Sequence, residues 1–279
     1  MMAGMKTNRC STLRTVTTFL IAGFSTALVA APVPIHSLPA KITKPGSYIL
    51  IKSLVLKTPT ATAAITITAD NVKLDLGGHT LTNTLPATAD VTGVYAQAHG
   101  GITVSNGTVR GFSTGVRLNA FQAAAGDVSV ENVRVDGCRN LGLQLLGSIG
   151  SVRRCVVSNT GGATANSASG ISLDLAFATV VDNDVFATIT QPTTNSVGIQ
   201  CGAQAGVFEN NRVLNEQSNR GGKGMSLAFS ANYLVEKNFV TGFATGISFT
   251  NAATPKYRNN FTTDCATPYV LGVDAGNNK

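Results

Sequence analysis

A chain of 279 residues with 13% charged side chains, 29 glycines and no tryptophan, yet with Val, Ile and Leu throughout, is no disordered polymer and points to regular, tightly stacked structure. Its 21 bases against 14 acids give a net charge of +7, but no dense Lys/Arg cluster interleaved with aromatics, which argues against nucleic-acid binding. With no CxxC and no Cys/His pair at zinc spacing, a zinc module is excluded too.

Lys6, Arg9 and Arg14 make a basic start, followed by the apolar run VTTFLIAGFSTALVAA at 16–31. A membrane span needs roughly 20 apolar residues, so this run is short for one. With small residues at Val29, Ala30 and Ala31, residues 1–31 read as a secretory signal peptide, the alternative being a retained membrane anchor. The expected product is secreted or periplasmic, with no membrane span after signal removal. Loss of the leader takes away three bases and no acid, leaving 18 against 14, net +4. Cys138, Cys155, Cys201 and Cys265 remain and are expected to be buried free thiols.

Residues 32–63 read as an N-terminal segment and cap, in which GSYILIKSLVLK (46–57) closes the apolar end of the first coil. From residue 64 to 279 the chain repeats. VSVENVRVDG (128–137), GSVRRCVVSN (150–159), ATVVDNDVFA (178–187), GVFENNRVLN (206–215), YLVEKNFVTG (233–242) and PKYRNNFTTD (255–264) align in one frame. Their third column is Val130, Val152, Val180, Phe208, Val235 and Tyr257; their eighth is Val135, Val157, Val185, Val213, Val240 and Thr262. DLGGHTLTN (75–83) and ITVSNGTVRG (102–111) extend the frame to eight copies. The sixth column runs His79, Gly107, Val133, Cys155, Asn183, Asn211, Asn238 and Asn260, at intervals of 22–28 residues. A second, glycine-led motif interleaves with it, from GVYA at 93 to GISF at 246.

Short strands in a 22–28-residue unit without helical periodicity specify an all-β, single-stranded parallel β-helix of about eight coils. A leucine-rich repeat is the competitor, but its Leu-x-x-Leu-x-Leu frame is missing. Asparagine tolerates left-handed backbone, and stacked side-chain amides can bond along the axis. Asn183, Asn211, Asn238 and Asn260 are therefore expected to form a structural ladder, with Asn210 on or beside the turn. His79 falls in the same column next to Gly77 and Gly78, which suits a turn. Acids and bases sharing a column on adjacent coils predict ion pairs Glu131–Arg153, Arg154–Asp182, Asp184–Arg212 and Glu236–Arg258.

KPGSYIL (44–50), AITITADNVKLDLGGHTLT (64–82), GITVSNGTVRGFSTGV (101–116) and the tail ATPYVLGVDAGNNK resemble the exported right-handed β-helix proteins of the pectin-lyase-like superfamily. That resemblance implies the fold and polysaccharide contact, since the superfamily holds pectate and alginate lyases, polygalacturonases, uronate epimerases, tailspikes and adhesins. It carries no catalytic residue across. The polygalacturonase Asn-Thr-Asp, Asp-Asp, Gly-His-Gly and Arg-Ile-Lys set is absent; the pectate-lyase Trp-Ile-Asp-His and the epimerase Asp-Pro-His-Asp are missing too.

A site must therefore be read from the register. In the glycine-led strand the outward columns are Tyr95, Arg117, Gln144, Ser172, Gln200, Ser226, Ser248, and then Gln97, Asn119, Leu146, Asp174, Gly202, Ala228, Thr250. Long links at 84–92, 160–169, 188–197 and 216–223 are expected to wall this face, bringing Glu216, Arg220 and Lys223 near it. A lyase on uronic-acid chains would use Arg220, Lys223 or Arg117 to neutralise the developing charge, with Asp174 orienting one of them or binding calcium. Arg117, Gln144, Ser172, Gln200, Glu216 and Ser226 would hold the chain. A glycoside hydrolase would need Asp174 and Glu216 as its carboxyl pair. The rival is a non-catalytic carbohydrate-binding or adhesive protein, with these groups splayed apart on a flat polar face. His36 and His99 lie apart, so no metal cluster is expected.

Overall fold

The computed structural model describes residues 30–58, 60–86, 89–123, 126–161, 167–188, 195–216, 221–228, 232–250 and 255–279. Every regular element among them is a strand, and residues 31–279 form one compact unit. All pairings are parallel and join strands one coil apart. The chain is a parallel β-helix.

Each coil has three sides. The first carries the glycine-led strand, the second the third-column residues, the third the eighth-column residues. Val130, Val152, Val180, Phe208, Val235 and Tyr257 are successive Cα partners, as the repeat frame predicts. So are Val135, Val157, Val185, Val213, Val240 and Thr262 on the third side. Both columns point inward and are buried, because period-two alternation sends their neighbours to solvent. Leu143, Ile171, Ile199, Met225 and Ile247 supply the first side of the same core.

At the N-terminal end, Gly46–Leu50 pairs with Val72–Asp75, Leu54–Leu56 with Thr80–Asn83, and Ala40–Ile42 with Ala63–Ile67. The segment 46–57 thus covers the coil beneath it by being a coil itself, in register. With it, nine successive coils have strands on all three sides among the described residues.

The second side meets the third at a tight turn whose first residue is left-handed: Asn106, Asn132, Arg154, Asp182, Asn210, Lys237 and Asn259 have φ between 52° and 60°. Asn210 is therefore the turn, and the next residue, Asn211, is the rung. The rung side chains are inward and fully buried. Asn211 Nδ2 donates to Asn238 Oδ1 and to Val180 O, each at 2.9 Å, while its Oδ1 accepts from Asn183 N and Nδ2. Asn183, Asn238 and Asn260 repeat this pattern. A fifth rung, Asn278, accepts from Asn260 and donates to Tyr257 O.

Charges on the outside follow the columns in part. Arg212 grips Asp184 with two bonds of 2.6 Å, and Arg258 reaches Glu236 at 2.6 Å. Arg154 departs from the expected pairing: its left-handed turn directs it back to Asn132 Oδ1 at 2.8 Å and to Glu131 at 3.7 Å, so that Glu131 pairs with Arg154 and not with its column partner Arg153. Asp182 instead accepts from Asn210. Cys138, Cys155 and Cys201 are buried, and burial pushes their thiols up to about 12, 11 and 12, which keeps them protonated and inert.

Tyr233 brings a hydroxyl into this core. Its hydroxyl donates to Ala203 O at 2.7 Å or Ala228 O at 2.8 Å and accepts from Ala203 N at 2.9 Å. It thereby satisfies backbone at the corners where two successive coils leave the first side. Tyr233→Phe is expected to cost about 2 kcal/mol, because buried backbone groups lose their partner. Denaturant unfolding of the variant measures this, and a loss near zero would show that water replaces the hydroxyl.

Candidate functional site

The corner into the first side is built by glycine. Gly142, Gly170, Gly198 and Gly224 have ordinary φ, so turn conformation does not require them. Space does: a Cβ at Gly198 would sit 2.3 Å from Val213 Cγ1 and 2.7 Å from the carbonyl oxygen of Gly224. Each glycine lets the strand pass close to the third-side valine of its own coil. The strand then runs straight across the first side with alternating inward and outward residues.

The outward register agrees with the sequence reading. Tyr95, Arg117, Gln144, Ser172, Gln200, Ser226 and Ser248 are successive Cα partners. In the next outward column Gln97, Asn119, Leu146 and Asp174 are partners. Gln144, Ser172, Asp174, Gln200 and Ser226 together line a depression of about 280 Å³, floored in part by Gly202 and Ala228. Neighbouring coils lie about 4.8 Å apart, so these groups form a polar strip across four coils. Ser169 Oγ donates to Gln200 Oε1 at 3.3 Å, which tethers that amide to the neighbouring coil. Asp174 is exposed and, among the described residues, is the one charged side chain lining the depression.

Arg117 flanks it, one strand from Gln144. Arg117 Nε and Gln144 Oε1 are both buried without a hydrogen-bond partner, so donor and acceptor capacity lies unused between neighbouring side chains. The other proposed groups are elsewhere. Lys223 is exposed and opens its strand ahead of Gly224, as Cα partner of Val197 and Thr245. The glycine corner separates it from Ser226, and it does not line the depression. Glu216 is exposed and likewise does not line it. Arg220 lies outside the described residues, as does much of the four long links expected to make the wall.

A second polar group on the same side lies toward the N-terminus. Tyr95 Oη and Asn119 Nδ2 both donate to Gln97 Oε1 at 3.2 Å, and His99 Nδ1 lies 3.3 Å from Asp70. His99 lies just beyond the strand Thr92–Gln97. Its spacing of 29 residues from Asp70, one coil, was the available signal.

No group of three or more His, Cys, Asp or Glu side chains capable of holding a metal occurs among the described residues. Calcium takes six to eight oxygen ligands, and a lone Asp174 among amides and hydroxyls does not make such a cage. Glu216, the other carboxyl of the hydrolase reading, is not among the residues that line the depression with Asp174.

Comparison with protein-family models, with curated proteins and with solved structures finds no match. The site therefore rests on its own geometry. No helix among the described residues is long and apolar enough to cross a membrane.

Proposed function

We propose that this is an exported polysaccharide-binding β-helix, distantly akin to the pectin-lyase-like proteins its strand and turn motifs resemble, which lays a sugar chain along the outward face of the first side. The observation that carries this is the strip of Gln144, Ser172, Gln200 and Ser226 with Asp174 in one depression. Amide and hydroxyl groups match the paired donors and acceptors of sugar hydroxyls, and one hexose unit is about as long as the coil spacing. Arg117 at the edge favours an acidic sugar, whose carboxylate would pair with its guanidinium.

A lyase acting on uronic-acid chains is the second reading, and Arg117 also supports it. Asp174 and Arg117 stand two coils apart, roughly 10 Å. A uronate bound between them would have a carboxylate neutraliser on one side and an acid-base group on the other.

The test is to present pectate, alginate and neutral glucans to the purified chain, with and without calcium, following both binding and the ultraviolet absorbance of an unsaturated product. Binding to acidic chains that weakens at least about tenfold in Gln144→Ala/Gln200→Ala is the expected result, each lost hydrogen bond being worth roughly 1 kcal/mol. Rising absorbance would assign the lyase reading. Failure to bind any chain would overturn the proposal.

A further inference from the structure

The net charge of the exported chain is confined to one end of the rod. Residues 70–279 contain 14 bases and 14 acids and are neutral overall. Residues 30–69 contain Lys41, Lys44, Lys52 and Lys57 and no acid at all. The whole surplus of four positive charges therefore sits in the first coil. Fold geometry then spreads these lysines around the coil: Lys41 on the first side, Lys44 at the turn into Gly46–Leu50, Lys52 between that strand and Leu54–Leu56, and Lys57 just beyond it. All four are exposed, and among the described residues none makes an ion pair. Further along the rod, by contrast, Arg110, Arg154, Arg212, Lys237 and Arg258 are each held by a carboxylate.

Apolar side chains are interleaved with the lysines. Val33, Ile51 and Val55 are 52%, 44% and 44% exposed. A hollow of about 290 Å³ at this end is lined by Val33, Ile35, Ile42, Tyr48 and Lys41. A dissolved polyanion would need the lysines alone. Lysines mixed with exposed aliphatic side chains suit an interface that is anionic at its surface and apolar just below it.

We propose that the first coil docks end-on to an anionic phospholipid surface, with the four lysines among the headgroups and Val33, Ile51 and Val55 at the acyl boundary. The lysines lie within about one coil rise of each other along the axis, less than the ~8 Å screening length of physiological salt, so a flat anionic surface facing this end of the rod meets all four together. Docked this way, the rod stands away from the membrane and its first side stays open to solvent. The core and the asparagine ladder use no described residue before Ile35, and residues 31–279 are a compact unit, so the chain folds without its leader.

The experiment is co-flotation of the chain from residue 31 onward with vesicles of phosphatidylcholine, alone or mixed with phosphatidylglycerol. Binding to the mixed vesicles that weakens with added salt, and none to phosphatidylcholine alone, is expected. Each lysine at an anionic surface contributes roughly fivefold, so Lys41→Gln/Lys44→Gln/Lys52→Gln/Lys57→Gln should bind on the order of a hundredfold or more weakly. Lys256→Gln/Lys279→Gln, which removes two exposed bases from the far end of the rod, should bind as the parent does. Ile51→Ser/Val55→Ser should weaken vesicle binding while leaving any retention by a soluble polyanion unchanged. Circular dichroism confirms that these surface variants are folded. Equal loss in both lysine variants, or binding to a polyanion such as polygalacturonate without binding to mixed vesicles, would overturn the proposal.

Discussion

Asn211→Ala is expected to lower the unfolding free energy by about 4 kcal/mol, a large share of a domain's usual margin. The side chain is fully buried and is the second of the five rungs, bonded on both sides. Truncation leaves Val180 O without its donor and Asn183 N without its acceptor, and Asn183 Nδ2 loses one of two partners. Each buried group left unpaired costs about 1–3 kcal/mol, and the small cavity adds to this. Asn278→Ala tests the same chemistry at the ladder's half-buried end, where water can substitute, and should cost about 1 kcal/mol. Urea unfolding of both variants, with hydrogen exchange at the amides of Cys155, Asn183 and Asn238, measures the difference. Comparable losses at the two positions would mean that the ladder stabilises by packing and not by its hydrogen bonds. Because each coil contacts only its neighbours, the exchange effect should be strongest at adjacent rungs.

The fold was legible because its signal is positional. The coils repeat an inward residue, most often valine, at the same two columns, so an interval of 22–28 residues sets the register whatever the loops contain. Asparagine pairs were equally informative once divided between two jobs: the first member takes the left-handed turn, the second makes the rung. Asn277–Asn278 repeats the pattern of Asn210–Asn211 and Asn259–Asn260, with Asn277 at φ 58°, and that likeness was the clue to the fifth rung. Column reasoning failed where a residue leaves the strand. Arg154 shares a column with Asp182, but it occupies the turn, where side chains do not stack as they do across a sheet. The candidate site divides the same way. Arg117, Gln144, Ser172, Asp174, Gln200 and Ser226 lie on a strand face, and period two aims them outward. Lys223 comes before the glycine corner, where that alternation is interrupted. Glu216 and Arg220 lie in a link whose length is not fixed by the repeat, so the register says nothing about where they point.

That glycine corner carries the other large expected effect. Gly198→Ala places a methyl group 2.3 Å from Val213 Cγ1 and 2.7 Å from Gly224 O, both far inside contact distance. Val213 is fully buried, and the oxygen belongs to the backbone of the next coil, so neither can simply turn aside. A loss of about 3 kcal/mol is expected, at the upper end for overpacking. Val213→Ala in the same chain removes the side-chain clash and leaves the carbonyl one. The double variant should therefore be more stable than the sum of the single losses predicts, by about 1 kcal/mol or more, in a thermodynamic cycle measured by denaturant unfolding. The effect should also reach the proposed site. Gly198 lies two residues before Gln200, and pushing its coil away from that of Gly224 would part Gln200 from Ser226 across the depression. Polysaccharide binding should then weaken in Gly198→Ala and recover in part with Val213→Ala. Additive single losses would refute the account of the corner, because steric relief between the two side chains is what that account requires.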